Sequence, residues 1–147
     1  MCIRDRLTAA RRTLVASLVA MCALMVSATG ATALTSFATP SRNIGCIGDR
    51  TEVRCDIRTT SATGPKKPTR CHFDWGDAFA VGRTGRGHAV CHSDTALPVP
   101  GRRIRIVKYG TSIRLGTITC ASRRSGLTCR NRARHGFFLS RAKIRVF

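Results

Sequence analysis

Apolar and polar residues alternate along three stretches in the second half of the chain, at residues 103–107, 112–115 and 141–146. Side chains that alternate with a period of two point to opposite faces of a β-strand, so each stretch predicts a strand with one inner and one outer face. No window after residue 33 keeps a helical period over three turns. The pattern predicts an all-β fold, a small disulfide-stapled sandwich or open barrel of short antiparallel strands.

The alternation of apolar and polar residues shifts by one position between Leu115 and Ile118. The apolar positions Ile113 and Leu115 are followed by Ile118 and Cys120, so the chain must shift by one residue to keep all four on the inner face. Gly116 lies at the point of the shift. We therefore predict a β-bulge at this glycine.

Two pairs of cysteines share one spacing, which predicts two hairpins. Eight residues, including a polar turn, separate Cys46 from Cys55, and eight separate Cys120 from Cys129. Directly opposed residues on paired strands bring their Cβ atoms to ~4.5–5.5 Å, close enough for a disulfide after a small adjustment. Among the fifteen pairings that six cysteines permit, this spacing favours one. The predicted disulfides are Cys46–Cys55, Cys71–Cys91 and Cys120–Cys129.

The middle of the chain predicts one exposed loop and much of an aromatic core. Residues 59–69 contain two prolines and two lysines without apolar periodicity, which is typical of a surface loop. We expect Phe73, Trp75 and Phe79 to fill the interior. Residues 34–42 predict a loose lead-in to the first hairpin.

The beginning of the chain predicts a secretory signal peptide in a helical conformation. Arg11 and Arg12 precede an apolar run at residues 14–26, and the small residues 31–33 suit a signal peptidase. The run is shorter than the ~20 residues that span a bilayer, so a membrane anchor is the less favoured alternative. A cut after Ala28 and a lipid anchor at Cys22 are two further alternatives.

The chain therefore divides into a signal peptide, residues 1–33, and one disulfide-rich β domain, residues 34–147. Residues 1–6 resemble the translation of a sequencing-library adaptor, so Cys2 is left out of the cysteine count. An even number of cysteines in a small exported domain indicates disulfides and an oxidising compartment. We expect a secreted protein that is extracellular or held in the cell envelope.

The large excess of basic residues indicates which kind of partner the protein would bind. The chain carries 26 basic and 7 acidic residues, and the predicted domain keeps 22 and six of them, a net charge of +16 on 114 residues. A GC-rich genome would explain the preference for arginine over lysine, but it does not explain so large an excess of basic residues. The excess predicts attraction to an anionic polymer, such as nucleic acid, a cell-wall polymer or an anionic lipid surface.

The alternating stretches supply the candidate binding residues, because every second position on a strand shares one face. We expect the first two stretches to gather their arginines on one side and the last stretch to do the same. The candidates are Arg103, Arg105, Arg114, Arg141, Lys143 and Arg145. A solvated outer face with no partner would show the same pattern.

A second hypothesis is a small secreted hydrolase, most plausibly a nuclease. A histidine can act as general acid or base, an aspartate can orient it, and arginines can stabilise developing phosphate charge. His135 and Asp94 are the candidates, but no nucleophile-elbow spacing accompanies them. A third hypothesis is docking onto an acidic protein. We favour the non-enzymatic binding protein, since no residue pattern specifies a reaction.

Metal binding is not expected, although a Cys-His pair occurs twice, at residues 71–72 and 91–92. Adjacent residues on a strand point to opposite faces, so both members of a pair do not easily reach one ion. The C-x2–4-C spacing of zinc sites is also absent. No cofactor motif is present, and the oligomeric state stays open.

Several motifs resemble a family of small secreted, cysteine-rich actinobacterial proteins of unknown function. The most specific pieces are GLTCRN at residues 126–131 and HGFFLSR at residues 135–141, and the resemblance spans essentially the whole predicted domain. It implies export and a cysteine-stapled domain, and it implies no activity. The chain departs from the pattern at Arg134, where we expect a glycine, and at Ile144, where we expect an aromatic residue.

Overall fold

A computed structural model describes residues 33–147, and in this part of the chain eleven short strands form two sheets. The all-β prediction is confirmed, since these residues contain no helix. The strands are β1 (Thr35–Ala38), β2 (Ile44–Gly48), β3 (Glu52–Ile57), β4 (Ala78–Gly82), β5 (His88–Ala89), β6 (Arg105–Ile106), β7 (Ser112–Leu115), β8 (Ile118–Arg123), β9 (Gly126–Arg130), β10 (Gly136–Leu139) and β11 (Ile144–Val146).

The first sheet has six strands in the order β5-β4-β3-β2-β1-β6. Its pairs are antiparallel except β1 with β6, which run parallel. The predicted lead-in at residues 34–42 is wrong over its first half. Residues 35–38 form β1, because Phe37 enters the core with no exposed surface and because β1 pairs with β2 on one side and β6 on the other.

The second sheet is a meander in which β7 to β11 pair with their neighbours in chain order, all antiparallel. The predicted bulge at Gly116 is wrong. Leu115 pairs with Ile118, so Gly116 and Thr117 form a two-residue turn between β7 and β8. Gly116 has a φ of 59°, which suits a tight hairpin turn. Because the chain reverses at this turn, Ile118 and Cys120 lie on the same inner face as Ile113 and Leu115, and no bulge is needed.

The core lies between the two sheets and contains two of the three disulfides. Phe79 of the first sheet and Phe137 of the second are fully buried, with ring centroids 6.4 Å apart. The disulfides join Cys46 to Cys55, Cys71 to Cys91 and Cys120 to Cys129, the same pairs that the spacing predicts. Cys55 Sγ lies 3.8 Å from Cys129 Sγ, so the two hairpin disulfides touch across the sandwich.

Two of the three expected core aromatics lie elsewhere. Phe79 is buried as predicted, but Phe73 is 58% exposed and Trp75 is half-buried. Residues 71–76 do not extend β4, so these side chains have no place between the sheets. Trp75 Nε1 instead donates a hydrogen bond to the Pro65 carbonyl at 2.8 Å. The indole thereby holds the loop at residues 59–69 against the domain.

The signal-peptide prediction falls on residues that lie outside the described part of the chain, except Ala33. Among residues 33–147, no helix is long and apolar enough to cross a membrane.

Candidate anion-binding face

The outer face of the second sheet forms a shallow groove over β7, β8 and β9. Alternation along β8 buries Ile118, Cys120 and Ser122, so Thr119 and Ala121 face outward. The cavity in this groove has a volume of about 710 Å³. We call it the arginine groove, and its lining is Ser112, Arg114, Thr117, Thr119, Ala121, Thr128, Arg130, Asn131, Arg132 and Arg134.

The strand register places arginines on both sides of a floor of small side chains. Arg114 pairs with Thr119, and Thr119 pairs with Arg130 across β8. Since neighbouring strands lie ~4.8 Å apart, the Cα atoms of the two arginines are roughly 10 Å apart. On β7, β8 and β9, the next row consists of Ser112, Ala121 and Thr128. A ligand backbone can therefore approach the floor closely between two guanidinium groups.

The turn between β9 and β10 adds two more arginines in a fixed position. Asn131 is buried, and its Nδ2 donates to the carbonyls of Gly82 at 3.2 Å and Gly85 at 2.9 Å. Its Oδ1 accepts a hydrogen bond from the His135 backbone N–H. These bonds anchor the turn that carries Arg132 and Arg134 to the first sheet.

Arg134 occupies the left-handed region of backbone space, with a φ of 66°. A residue with a Cβ atom is disfavoured there by roughly 1–2 kcal/mol, whereas glycine is not. The glycine expected at this position from the family resemblance thus has a physical reason. The chain keeps an arginine at the lip of the groove despite the backbone strain.

The two halves of the domain differ in charge. All six acidic residues of the domain lie at residues 49–94, and residues 95–147 contain none. The ion pairs among residues 33–147 join Arg54 to Asp56, Arg54 to Asp94 and His92 to Asp77, all outside the second sheet. Residues 112–147 contain no acidic side chain and carry nine cations: Arg114, Arg123, Arg124, Arg130, Arg132, Arg134, Arg141, Lys143 and Arg145.

The predicted binding residues divide between the two sheets. Arg105 lies on β6 at the edge of the first sheet, and Arg103 precedes it. Arg114 lies on β7 in the second sheet, so the expectation that these three share one side is wrong. They separate because the chain leaves the first sheet at β6 and enters the second at β7.

The last of the three alternating stretches, residues 141–146, belongs to the second sheet and to the turn before β11. Arg145 on β11 pairs with Phe138, which pairs with Thr128 of the groove floor. This register places Arg145 on the same outer face as the groove. Lys143 and Arg141 are exposed in the turn between β10 and β11. Sequence reasoning missed Arg130, Arg132 and Arg134, and the signal that could have found them is the absence of acidic residues after Asp94.

The structure does not bring His135 and Asp94 together as an acid–base pair. His135 precedes β10, beside the arginine groove, and its backbone N–H is bonded to Asn131. Asp94 Oδ1 instead accepts a hydrogen bond from Arg54 Nη1 at 2.7 Å. Arg54 lowers the pKa of Asp94 through this hydrogen bond and through its charge.

Asp94 belongs to a polar cluster around the buried carboxylate of Asp56. Arg54 donates to both Asp56 oxygens at 2.9 Å, and Oδ2 also accepts from the Ala96 N–H at 2.7 Å and the Thr95 hydroxyl at 3.2 Å. Burial lowers the pKa of Arg54, but the hydrogen bonds and charges of the two aspartates outweigh burial, so the pKa is raised. With its acceptors occupied, Asp56 ties residues 94–96 to the first sheet.

No candidate metal centre accompanies this cluster. In the part of the chain that the structure describes, no three His, Cys, Asp or Glu side chains lie close enough to hold a metal ion.

His92 makes stability depend on pH. Its Nε2 lies 2.9 Å from Asp77 Oδ1 and its Nδ1 lies 2.7 Å from the Asp94 carbonyl, two acceptors that suit a protonated ring. Burial lowers the pKa of His92, and the Arg54 charge does so too. The hydrogen bonds to Asp77 and the Asp94 backbone, with the Asp77 charge, outweigh both, so the pKa is raised.

A folded-state pKa above the unfolded value stabilises the fold at low pH, and this contribution is lost as the pH rises through the folded pKa. We expect the free energy of unfolding to fall as the pH rises above the ordinary histidine pKa of about 6.5, and the fall to be smaller in His92→Gln. Urea denaturation at each pH measures it. His72→Gln, at an exposed histidine, is the matched control, and a His92→Gln profile as steep as the wild type would contradict the assignment.

The comparisons with known proteins give a family and no activity. The profile of a family of unknown function, DUF6636, matches residues 14–147. Because the match covers most of the chain, the chain belongs to this family. No curated protein and no solved structure matches the chain.

Proposed function

We propose that this member of a family of unknown function is a non-enzymatic binding protein of the cell surface or the extracellular space. It holds an anionic polymer in the arginine groove and along the outer face of the second sheet. The observation that supports the proposal most is that residues 112–147 carry nine cations and no acidic side chain, and that arginines lie on both sides of a floor of small side chains. Three disulfides are typical of proteins outside the cytoplasm.

The chemistry of the groove suits phosphate or sulfate groups on an extended chain. A guanidinium group donates two parallel hydrogen bonds to one such group, and its charge is independent of pH in the physiological range. Arg114 and Arg130 contact a chain from both sides of β8, while the hydroxyls of Thr119 and Thr128 can donate to it from below. No aromatic side chain lines the groove, so stacking of bases does not contribute and the contacts are mainly electrostatic.

The strained backbone at Arg134 supports the same function. Strain at a single residue persists where the rest of the structure imposes it, and it is common at binding sites. Here the buried side chain of Asn131 fixes the turn, and the arginine contributes a charge at the lip of the groove. A glycine would remove the strain and also the charge.

Polymer binding should weaken steeply with salt. Four arginines that each neutralise one phosphate predict a slope of roughly −3.6 for log K against log salt on duplex DNA, which is about a 10²-fold loss between 50 and 200 mM salt. Fluorescence anisotropy on labelled DNA, heparin and poly(glycerol phosphate), with the disulfides intact, measures the slope. Unlabelled dextran is the uncharged competitor.

Absence of binding to all three polymers at 50 mM salt would refute the proposal. The same samples separate binding from hydrolysis, the alternative in which His135 and Asp94 would act. A binding protein leaves the length of the polymer unchanged on a gel after prolonged incubation. Shortened products that disappear in His135→Ala would favour the hydrolase instead.

A further inference from the structure

A second cavity opens at the opposite end of the second sheet from the arginine groove. The meander places the turns at residues 116–117 and 131–135 at one end and the turns at residues 124–125 and 140–143 at the other. The cavity at this other end has a volume of about 340 Å³, within the range of small-ligand sites. We call it the end pocket, and its lining is Thr39, Ser41, Asn43, Ile44, Tyr109, Arg123, Arg124, Ser125, Gly126, Ser140, Arg141 and Ala142.

Three arginines and no acidic residue line this small volume. Arg123 and Arg124 come from the end of β8 and its turn, and Arg141 comes from the turn after β10. Like charges gathered in one concavity repel each other, and a bound anion removes the repulsion. The pocket is therefore complementary to a compact ligand with more than one negative charge.

The side chain of Arg124 and the backbone of Arg141 are held in position by neighbouring groups. The Arg124 guanidinium lies over the Tyr109 ring, 5.5 Å from its centroid. The Arg141 carbonyl accepts hydrogen bonds from the Ser61 N–H at 2.7 Å, the Ser61 hydroxyl at 3.1 Å and the Thr60 hydroxyl at 3.0 Å. Groups that are ordered before binding lose less conformational entropy when a ligand arrives.

The remaining lining sets the size of the ligand. Asn43 is bonded to the Thr59 backbone at 3.0 and 3.1 Å, so it shapes the wall. Ser125 is exposed at the mouth, where its hydroxyl can donate to an anion. Ile44 and Ala142 offer a short apolar wall. A tetrahedral oxyanion on a sugar-sized or smaller body fits these features.

We propose that the end pocket binds a phosphate monoester through Arg123, Arg124 and Arg141. A phosphate monoester carries up to two charges and three acceptor oxygens at neutral pH, whereas a sulfate ester carries one charge. The inference stands apart from the polymer-binding proposal, because the end pocket shares no lining residue with the arginine groove.

Calorimetric titration of the disulfide-bonded protein with glucose 6-phosphate tests the proposal, with glucose as the uncharged control and glucose 6-sulfate as the singly charged one. We expect phosphate to bind more tightly than sulfate. Arg124→Gln and Arg141→Gln should each weaken binding by about tenfold or more, since each removes a charge-assisted hydrogen bond. Lys66→Gln/Arg70→Gln, at two exposed cations that line neither cavity, is the matched control and should leave this affinity unchanged. The titrations are also made in the groove variant Arg114→Gln/Arg130→Gln, so that phosphate bound in the groove does not contribute to the signal.

The pH dependence gives a second readout. The lining contains no histidine and no acidic residue, so the ester is the group whose charge should change between pH 5 and pH 7.5. The second pKa of the ester is about 6, so the fraction of dianion, and with it the affinity, should decrease roughly tenfold as the pH falls from 7.5 to 5.

The phosphate could belong to a small sugar phosphate or to the end of a polymer. Titrating a 5′-phosphorylated and a 5′-hydroxyl oligonucleotide into the groove variant distinguishes these two sources. Preference for the phosphorylated end with no binding of the sugar phosphate assigns the pocket to a polymer terminus, and binding of both assigns it to the monoester group as such. Failure of every phosphate ligand to bind, or equal affinity in Arg124→Gln and the wild type, would overturn the proposal. Neither failure would affect polymer binding by the groove.

Discussion

Replacing Arg114, Arg130, Arg132 and Arg134 together by glutamine is expected to weaken binding to duplex DNA by about 10³-fold at 0.1 M salt. The four guanidinium groups of the arginine groove supply the contacts that release counterions, so the slope of log K against log salt should also become shallower by about 3 to 4. All four side chains are exposed, and their replacement should leave the fold intact. Anisotropy titrations over a salt series measure both effects.

A variant with the same change of net charge tests whether position matters. Glutamine at Lys66, Lys67, Arg70 and Arg105 removes four exposed cations outside the second sheet. We expect this variant to lose less than tenfold in affinity and to keep most of the salt slope. Equal losses in the two variants would mean that the polymer responds to net charge alone and that the groove has no special role.

Removing the disulfide between Cys120 and Cys129 by a double replacement with alanine is expected to lower the free energy of unfolding by about 3 kcal/mol. The bond closes a short loop in the unfolded chain, and its sulfur atoms are buried between the sheets. A domain of this size has a net stability of only about 5–15 kcal/mol, so this is a large share of it. Guanidinium denaturation of the oxidised proteins measures the difference.

The Cys71–Cys91 disulfide is the matched control, because it lies at the periphery. Cys91 is exposed, in contrast to the four buried cysteines of the hairpins. A mild reductant should therefore open Cys71–Cys91 first, and mass-spectrometric mapping of alkylated cysteines should find residues 71 and 91 before the others. Earlier labelling of Cys120 or Cys129 would show that the core admits solvent.

Local patterns in the sequence predict the parts of the fold that depend on neighbouring residues. The period of two predicts β6, β7 and β11, although β11 begins only at Ile144, and the equal cysteine spacing predicts both hairpins. The pairing of β1 with β6 joins residues almost 70 positions apart, and no local signal predicts it. Phe73 carries the same apolar signal as Phe79, and only the ends of β4 decide which of the two is buried.

The same distinction applies to the candidate sites. The basic excess and the alternation identify Arg114 from the sequence, because charge and face are local properties. The groove also requires Arg130 to lie opposite Arg114 across Thr119, which is a matter of register over three strands. The end pocket combines residues from four separate segments of the chain, at positions 39–44, 109, 123–126 and 140–142. Such a combination exists only once the sheets have packed.

The contact between Cys55 and Cys129 has a consequence for how the domain acquires its bonds. A thiolate exchanges with any disulfide sulfur that it can reach, and these two atoms lie 3.8 Å apart. A folding intermediate with one hairpin oxidised and the other reduced thus holds a nucleophile beside the neighbouring bond, and the pairs can isomerise inside the nascent core. Once both bonds have formed, no thiolate remains beside them, so the exchange stops and the final connectivity is kept.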